Sequence, residues 1–269
     1  MDYTSLLKEL GISYLGAGNN SAKMNRSYEN GVYTYCMYLA SWDMSGYQVC
    51  PGGVNCHRFC LNKSGRNKIQ SFLTSGLTSV DVSRIKKTKL FFEDREKFMT
   101  LLVHEIGKNK RYAENHGMGF SVRLNGTSDL SPLAFKKGDK NILEIYPEVQ
   151  FYDYTKVFPR FSQTRDYANY DLTFSFDGYN GEDCRRVLDE GLGRVAVVFD
   201  GGVLPKRFCG YDVVDANLSD IRYEDPKGVI CGLHYHPTAN DFHVENGKHV
   251  YVKPDTPFVI KEDDERCEW

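Results

Sequence analysis

The chain has 269 residues, of which 41% are hydrophobic and 26% are charged, values ordinary for a globular protein with a core of normal size. The formal net charge of −2 provides no global field that would draw nucleic acid to the molecule. Residues 61–111 nevertheless carry 12 Lys and Arg against 5 Asp and Glu, which indicates solvated helix faces, with a weak nucleic-acid surface as the alternative.

The first 30 residues are polar and rich in Gly, Asn and Ser, and we predict a short helix followed by a loop, as an extension of the main domain. Residues 1–5 are not a secretory signal, and no segment offers 18 consecutive apolar residues for a membrane span. We therefore expect a cytoplasmic protein whose eight cysteines stay reduced, so that clustered thiols indicate metal binding or redox work.

A strand is predicted at Gly31 to Ala40, which is rich in β-branched and aromatic residues. A long helical stretch follows at 64–114 and is expected to break near Gly76. From Gly117 onward, apolar strands alternate with polar loops and helices. The strand candidates are 120–124, 149–154, 172–176, 194–199 and 229–235, and the helix candidates are 133–146 and 182–190.

Strands separated by segments of helix length predict β-α-β units and a parallel sheet. Six such strands with right-handed crossovers would curl into a partial or complete TIM-like (β/α) barrel, with an open doubly wound sheet as the alternative. We predict a single α/β domain over residues 1–269, ending in a charged, loose tail at 261–269.

A cysteine loop directly follows the first predicted strand. Cys50, Cys56 and Cys60 lie within 11 residues at the spacing C-x5-C-x3-C, and a Pro-Gly-Gly sequence after the first of them lets the backbone turn tightly. Amide N–H groups in such a loop can point at anionic sulfur. Three thiolates can hold three irons of a [4Fe–4S] cubane and leave the fourth iron open, so we predict an iron–sulfur site.

Zinc and unmetallated core thiols are the alternatives for this loop. Structural zinc usually takes C-x2-C knuckles, which the chain lacks, and zinc here would need His57, Cys36 or a distant cysteine as its fourth ligand. His234 and His236 would share one side of a strand and could also bind zinc, although surface or pocket histidines without a metal are the simpler interpretation.

Polar clusters follow five of the strand candidates. Active residues of parallel α/β folds lie at the carboxyl ends of strands, so together these clusters predict one pocket at the barrel mouth, although each alone could be an ordinary loop. Arg123 is the most distinctive member, because a charge within an apolar strand must be paired or must line a cavity. The predicted pocket residues are Arg123, Asn125, Ser128, Asp129, Asp153 and Lys156.

Two segments of the chain resemble the bacteriophage gene product 88 family: SGYQVCPGGVNCHRFCLNKSGR (45–66), which contains the cysteine loop, and VRLNGTSDL (122–130). The likeness continues through VQFYDYTK (149–156), YDLTFSF (170–176), VAVVFDGGVLP (195–205) and DIRYEDPKGVICGL (220–233). It implies a phage protein in the host cytoplasm and supplies no activity. In the family the cysteine spacing is C-x6-C-x3-C, one residue longer than here. A Lys-rich sequence follows the last of these segments in the family, whereas this chain has His-Tyr-His at 234–236.

A three-cysteine loop after the first strand is also similar to radical S-adenosylmethionine enzymes, which place such a loop on a partial TIM barrel. Their C-x3-C-x2-C spacing is not matched, so the likeness bears on architecture and cluster more than on chemistry. Our first hypothesis is an iron–sulfur protein that cleaves S-adenosylmethionine or serves as a one-electron centre, with a small molecule or an electron donor as partner.

Two further hypotheses use the same residues differently. In the second, a non-catalytic phage protein uses the cluster or zinc as a structural staple and binds a host factor or nucleic acid. In the third, a zinc hydrolase or deaminase uses the cysteine loop or the two histidines. The third is the weakest, because the deaminase signature of H-x-E with P-C-x2-C is absent.

Overall fold

The structure, a computed structural model, describes residues 2–19, 21–64, 67–69, 76–253 and 255–261. Its helices include α1 (Tyr3–Leu10), α2 (Ala22–Glu29), α3 (Ser79–Glu93), α4 (Arg95–Asn115), α5 (Ile142–Ile145), α6 (Arg160–Thr164) and α7 (Gly181–Asp189). Its strands include β1 (Gly16–Gly18), β2 (Val32–Met37), β3 (Gly119–Arg123), β4 (Lys136–Lys137), β5 (Lys140–Asn141), β6 (Gln150–Thr155), β7 (Tyr170–Ser175), β8 (Arg194–Asp200), β9 (Arg207–Phe208), β10 (Tyr211–Asp215), β11 (Ile230–His234), β12 (Phe242–Glu245), β13 (Lys248–Tyr251) and β14 (Val259–Lys261).

Ten of these strands form one mostly parallel sheet in the order β1-β2-β3-β6-β7-β8-β11-β10-β9, with β14 paired to β8. The six predicted strands are β2, β3, β6, β7, β8 and β11, and they are parallel neighbours in the order of the sequence. The predicted parallel sheet is therefore confirmed. Because the order never reverses along these six strands, the doubly wound alternative is wrong.

The sheet has two edges in the part of the chain that the structure describes. Strand β1 at one end and strand β9 at the other each pair antiparallel with a single neighbour. No closed barrel is formed, so a complete TIM-like barrel is not confirmed. Strand β14 extends the sheet at its centre, since β8 pairs with β7 through residues 194–196 and with β14 through residues 198–200.

Helices α1, α3 and α4 pack on one face of the sheet with an apolar core. Phe98, Leu101, Leu102 and Ile106 follow one face of α4 and are fully buried, as their spacing predicts. The predicted break near Gly76 is confirmed, because Gly76 lies outside a helix and α3 begins only at Ser79. The stretch is divided again at Asp94, which ends α3 and accepts a hydrogen bond from the first turn of α4. None of the described helices is long and apolar enough to cross a membrane.

The opposite face of the sheet, here called the inner face, is polar and buried. Arg123 lies on it and forms an ion pair with Asp220, whose carboxylate is 3.1 Å from the guanidinium. The hydroxyl of Tyr152 donates to the same carboxylate at 3.0 Å. The segment that carries Asp220 thus covers the inner face, and it satisfies the buried charge that the sequence singled out.

Two local predictions need correction. The helix predicted at 133–146 is a hairpin of β4 and β5 followed by the four-residue α5, because Gly138 turns the chain with φ 59°. The first 30 residues contain β1 and α2 in addition to the predicted helix. The helix predicted at 182–190 is confirmed as α7. Of the loose tail predicted at 261–269, only Lys261 is among the described residues, and it belongs to β14.

Candidate metal centre

The cysteine loop lies across the carboxyl ends of β3 and β6. The backbone N–H of Asp129 donates to the carbonyl of Val49 at 2.8 Å, and the Cys50 thiol lies 3.8 Å from the carbonyl oxygen of Thr127. A Cβ atom added to Gly52 would lie 2.8 Å from Cβ and 2.9 Å from the carbonyl oxygen of Lys156. Only glycine permits this approach, so the loop is pressed directly against the edge of the sheet.

The far part of the loop reaches β7 and the segment before β14. After Cys56 the chain forms two short 3₁₀ turns, His57–Phe59 and Leu61–Lys63. The side-chain amide of Asn55 donates to the carboxylate of Asp177 at 3.3 Å, and the ring of Phe59 stacks on Phe258 with centroids 5.8 Å apart. The three cysteines are therefore held over the same edge as the predicted pocket residues.

The three thiols lie close enough to influence one another's ionisation. The pKa of Cys50 is raised to about 12, chiefly by burial, with smaller contributions from Cys60, Asp129 and Cys56. Burial also raises the pKa of Cys60, again with a contribution from Cys56. Without a bound cation, burial and mutual repulsion therefore hold Cys50 and Cys60 in the neutral form.

Polar groups nevertheless favour the ionised form of two of the thiols. The backbone of Trp42 lowers the pKa of Cys50. The backbone N–H of Asn62 donates to the sulfur of Cys60 at 3.4 Å, and Ser41, whose hydroxyl donates to the sulfur of Met44, also lowers the pKa of Cys60. Donors of this kind stabilise sulfur once it carries negative charge.

Trp42 adopts a strained backbone conformation beside the loop. Its φ of 56° is in the left-handed region, which a large side chain rarely occupies. Its ring stacks on His57 with centroids 5.0 Å apart. The carbonyl of Trp42 accepts a hydrogen bond from the backbone N–H of Val49 at 3.0 Å, so the strained residue is held against the start of the cysteine loop.

A buried cation lies next to Cys60. Burial lowers the pKa of the Arg84 guanidinium on α3, and Tyr38 and Cys60 act in the opposite direction. Arg84 donates to the side-chain oxygen of Asn62 and lies 5.0 Å from the centre of the Tyr38 ring. Arg84 lowers the pKa of Cys60 and so favours anionic sulfur there, whereas Asp129 raises the pKa of Cys50.

Asp81 fixes the far side of Asn62. Its buried carboxylate accepts hydrogen bonds from the Asn62 amide at 3.1 Å and from Lys63 at 2.7 Å. Burial favours the neutral carboxyl, but the bonds from Lys63 and Thr78 outweigh it and lower the pKa to about 2. Asn62 is therefore held between an anion and the Arg84 cation, with its N–H directed at Cys60.

Three of the predicted pocket residues bond mainly to one another. The backbone N–H and side-chain amide of Asn125 donate to the carboxylate of Asp153 at 2.8 and 3.0 Å, and the Ser128 hydroxyl donates to Asn125 at 2.8 Å. Burial raises the pKa of Asp153 to about 6. These contacts shape the loop after β3, on which the cysteine loop rests.

Asp129 and Lys156 lie against the cysteine loop itself. The Asp129 carboxylate accepts from the backbone N–H of Lys156 at 2.8 Å and forms a buried ion pair with Arg160. The ammonium of Lys156 donates to the hydroxyl of Ser175 at 2.9 Å. The structure therefore brings these two predicted residues together with the cysteines, whereas the side chain of Arg123 is paired on the inner face.

The family model described as Gene product 88 matches residues 12–246, a range that contains the cysteine loop and the six parallel strands. The chain belongs to the gene product 88 family. The predicted resemblance is thus confirmed over most of the chain. Comparison with curated proteins and with solved structures finds no significant match.

The candidate metal ligands of this gene product 88 chain are the three neighbouring thiols, which do not surround one common point. Over the described ranges, no group of three or more His, Cys, Asp or Glu side chains is arranged to hold a metal ion. His234 also belongs to no such group, and its Nδ1 lies 3.0 Å from the carbonyl oxygen of Gly201. The Asn62 N–H and the buried Arg84 fit anionic sulfur, and so the site suits thiolate ligation by its chemistry.

Four residues that sequence reasoning did not select surround the thiols: Ser41, Trp42, Asn62 and Arg84. Ser41 and Trp42 lie shortly after β2, and Asn62 is two positions after the last cysteine, so closeness in sequence was the available signal. Arg84 is 24 positions beyond Cys60, on a helix whose many cations look alike in the sequence.

Proposed function

We propose that Cys50, Cys56 and Cys60 bind a [4Fe–4S] cluster and that the protein carries out redox chemistry at the carboxyl edge of its parallel strands. The single observation that carries the proposal is the hydrogen bond from the backbone N–H of Asn62 to the sulfur of Cys60, 3.4 Å away, beside the Arg84 cation that donates to Asn62. Donors and a cation offset the negative charge that iron-bound thiolates retain, which is how proteins hold and tune such clusters.

A cluster and a single zinc ion require different spacings of the three thiols. A tetrahedral zinc ion with Zn–S bonds of about 2.3 Å brings its sulfur ligands to within about 3.8 Å of one another. In a cubane each thiolate binds a different iron, so the sulfur atoms stay farther apart. The sulfur–sulfur distances in a metal-loaded protein would therefore distinguish a cubane from a zinc ion.

The topology supports a finer interpretation of the fold. Six parallel strands in chain order, with the cysteine loop after the first, have the layout of a partial (β/α) barrel. When bound, the cluster would supply one-electron transfer, and its fourth iron could accept an exogenous ligand such as S-adenosylmethionine. Lys156 and Asp129 are the charged residues of the predicted pocket that lie beside the loop.

Ion pairs formed by the basic stretch, residues 61–111, weaken the case for nucleic-acid binding. Lys63 pairs with Asp81, Lys97 with Glu9 and Asp94, and Lys110 with Glu114 and Glu148. Arg84 is mostly covered within the site. Four of the twelve cations of this stretch are therefore paired or partly covered.

Anaerobic reconstitution with iron and sulfide tests the proposal. We expect a brown protein with about four irons per chain and broad absorption at roughly 400 nm. Cys50→Ala, Cys56→Ala and Cys60→Ala should each lose most of the iron, while the matched control Cys209→Ser, on a distant hairpin, should keep it. Incorporation of zinc alone, or equal iron in all four variants, would overturn the proposal.

Electron paramagnetic resonance of the reduced protein then separates the two forms of redox chemistry. A signal that changes on addition of S-adenosylmethionine supports its binding at the open iron. An unchanged signal from an intact cluster supports simple electron transfer. Circular dichroism of Cys56→Ala addresses the staple alternative, because a purely structural metal site predicts unfolding of that variant, whereas a redox centre permits a folded apo protein.

A further inference from the structure

A cavity of 590 Å³ lies at the carboxyl ends of β8 and β14, away from the cysteine loop. Asp200 and Lys261, the last residues of these two strands, are register partners at its floor, and the β9–β10 hairpin forms its opposite wall. Its volume is in the range of roughly 300–1,000 Å³ typical of small-molecule sites. Ligands of parallel α/β sheets bind outside the carboxyl ends of the strands, which is where this cavity lies.

The walls of the cavity are mainly apolar. Phe199 from β8 meets Phe208 from the hairpin edge to face with centroids 5.4 Å apart, and Leu204 and Ile260 complete the lining. Val203 stands at the lip with 82% of its surface exposed. An apolar ligand body that covered these side chains would gain the free energy of removing them from water.

Two cations, Arg207 and Lys261, lie among these apolar groups. Arg207 pairs with Asp212 at 3.3 Å and Lys261 with Asp255 at 2.7 Å, and both carboxylates are largely exposed. Exposed ion pairs contribute little, so either cation can turn to an anionic group of a ligand at small cost. The third charge of the lining, Asp200, already pairs with Lys253 at 2.6 Å.

We propose that this cavity binds a small amphipathic anion, with an aromatic or aliphatic body against Leu204 and Phe208 and one anionic group at Arg207 and Lys261. The proposal does not depend on the metal site, because the cavity shares no lining residue with the cysteine loop. A cluster-free protein should bind the ligand as well as the reconstituted one.

Fluorescence titration with 8-anilinonaphthalene-1-sulfonate, an aromatic sulfonate, tests the proposal on the full chain. Leu204→Trp fills the cavity and should weaken binding by about tenfold or more. The matched control Leu218→Trp changes an exposed leucine outside the lining and should bind like the wild type. If Leu204→Trp fails to fold, Val203→Asp places a carboxylate at the exposed lip and should weaken binding in the same way.

The charge requirement is tested with a neutral probe of similar shape, N-phenyl-1-naphthylamine. Arg207→Gln should weaken the sulfonate but leave the neutral probe unchanged, and Arg165→Gln, an exposed cation elsewhere, should change neither. Equal binding in Leu204→Trp, Val203→Asp and Leu218→Trp would overturn the site. An equal loss of both probes in Arg207→Gln would overturn the anion preference.

Discussion

The guanidinium of Arg84 donates a hydrogen bond to the side-chain oxygen of Asn62. Asn62 in turn directs its backbone N–H at the sulfur of Cys60, 3.4 Å away. A permanent cation on helix α3 is thereby connected through one residue to a candidate cluster ligand. This relationship gives the proposed cluster an electrostatic partner that can be removed by a single substitution.

Arg84→Met should make the reduction potential of the reconstituted cluster more negative, because the cation stabilises the more negative, reduced state. Two unit charges about 8 Å apart in an effective dielectric near 20 interact by roughly 2 kcal/mol. For one electron this corresponds to a shift of roughly 80 mV. Anaerobic spectroelectrochemistry measures it.

Lys86→Met provides the control for this substitution, since Lys86 is an exposed cation two positions away on the same helix. It should leave the potential within about 20 mV of the wild type, because exposed charges are screened by solvent and salt. Equal potentials in both variants would show that Arg84 does not act on the cluster.

Gly52→Ala should loosen the cysteine loop, because the added Cβ would lie 2.8 Å from Cβ and 2.9 Å from the carbonyl oxygen of Lys156. We expect a loss of roughly 1–3 kcal/mol in unfolding free energy, as for other overpacked contacts, together with reduced iron retention. Urea denaturation and iron analysis measure the two effects.

Gly202→Ala is the matched control for that change. No atom lies within 4 Å of a Cβ built at Gly202, and its φ is outside the left-handed region. It should retain the stability and iron content of the wild type. A Gly52→Ala protein that behaved like Gly202→Ala would contradict the described packing of the loop on β6.

Asp153 should make the stability of the protein fall as pH rises through the mildly acidic range. Burial raises its pKa to about 6 in the folded state, whereas an unfolded Asp has a pKa of about 3.9. Between these values the folded state binds more protons, so stability is highest below about pH 4 and decreases up to about pH 6.

Comparison with Asp153→Asn isolates this contribution. Between pH 4 and pH 7, the advantage of the wild type over this variant should shrink by on the order of 3 kcal/mol. Urea titrations at the two pH values measure it, with the exposed Asp166→Asn as control. A difference that stayed constant, or grew, with pH would refute the raised pKa.

Glu105 anchors the N-terminal segment to helix α4, and Glu105→Gln should weaken that attachment. Its buried carboxylate accepts from Tyr3, Tyr35 and the backbone N–H groups of Leu15 and Gly16, at 2.6–3.0 Å. An amide places N–H donors against these donors, which should cost roughly 2–4 kcal/mol of unfolding free energy.

Glu114→Gln, at the exposed end of the same helix, is the control for Glu105. Its carboxylate takes part only in surface ion pairing with Lys110, so the loss should be below about 0.5 kcal/mol. Urea denaturation measures both variants. Similar losses in the two would mean that the buried network does not hold the N-terminal segment.

Local patterns were sufficient for much of the architecture. The β-branched and aromatic runs predicted the six parallel strands, and the acidic start at Glu182 and Asp183 predicted helix α7. The failure at 133–146 also has a local cause. The turn at Gly138 interrupts a segment whose composition otherwise suits a helix.

The candidate site was only partly within reach of sequence reasoning. The clustering of Cys50, Cys56 and Cys60 is local, and so is the Gly52 that lets the loop approach the sheet. The partner of Arg123 is Asp220, 97 positions away, and no pattern within either segment indicates that pairing.

The sequence by itself determined the strands, the order in which they occur and the loop that carries the thiols, because these depend on residues within a few positions of one another. Tertiary structure alone decided that the sheet stays open, that Arg84 bonds to Asn62 beside Cys60, and that β8, β14 and a hairpin line a cavity. Those outcomes depend on how distant segments pack once the crossovers are made, and a charge or an apolar side chain carries no local sign of the partner it will meet.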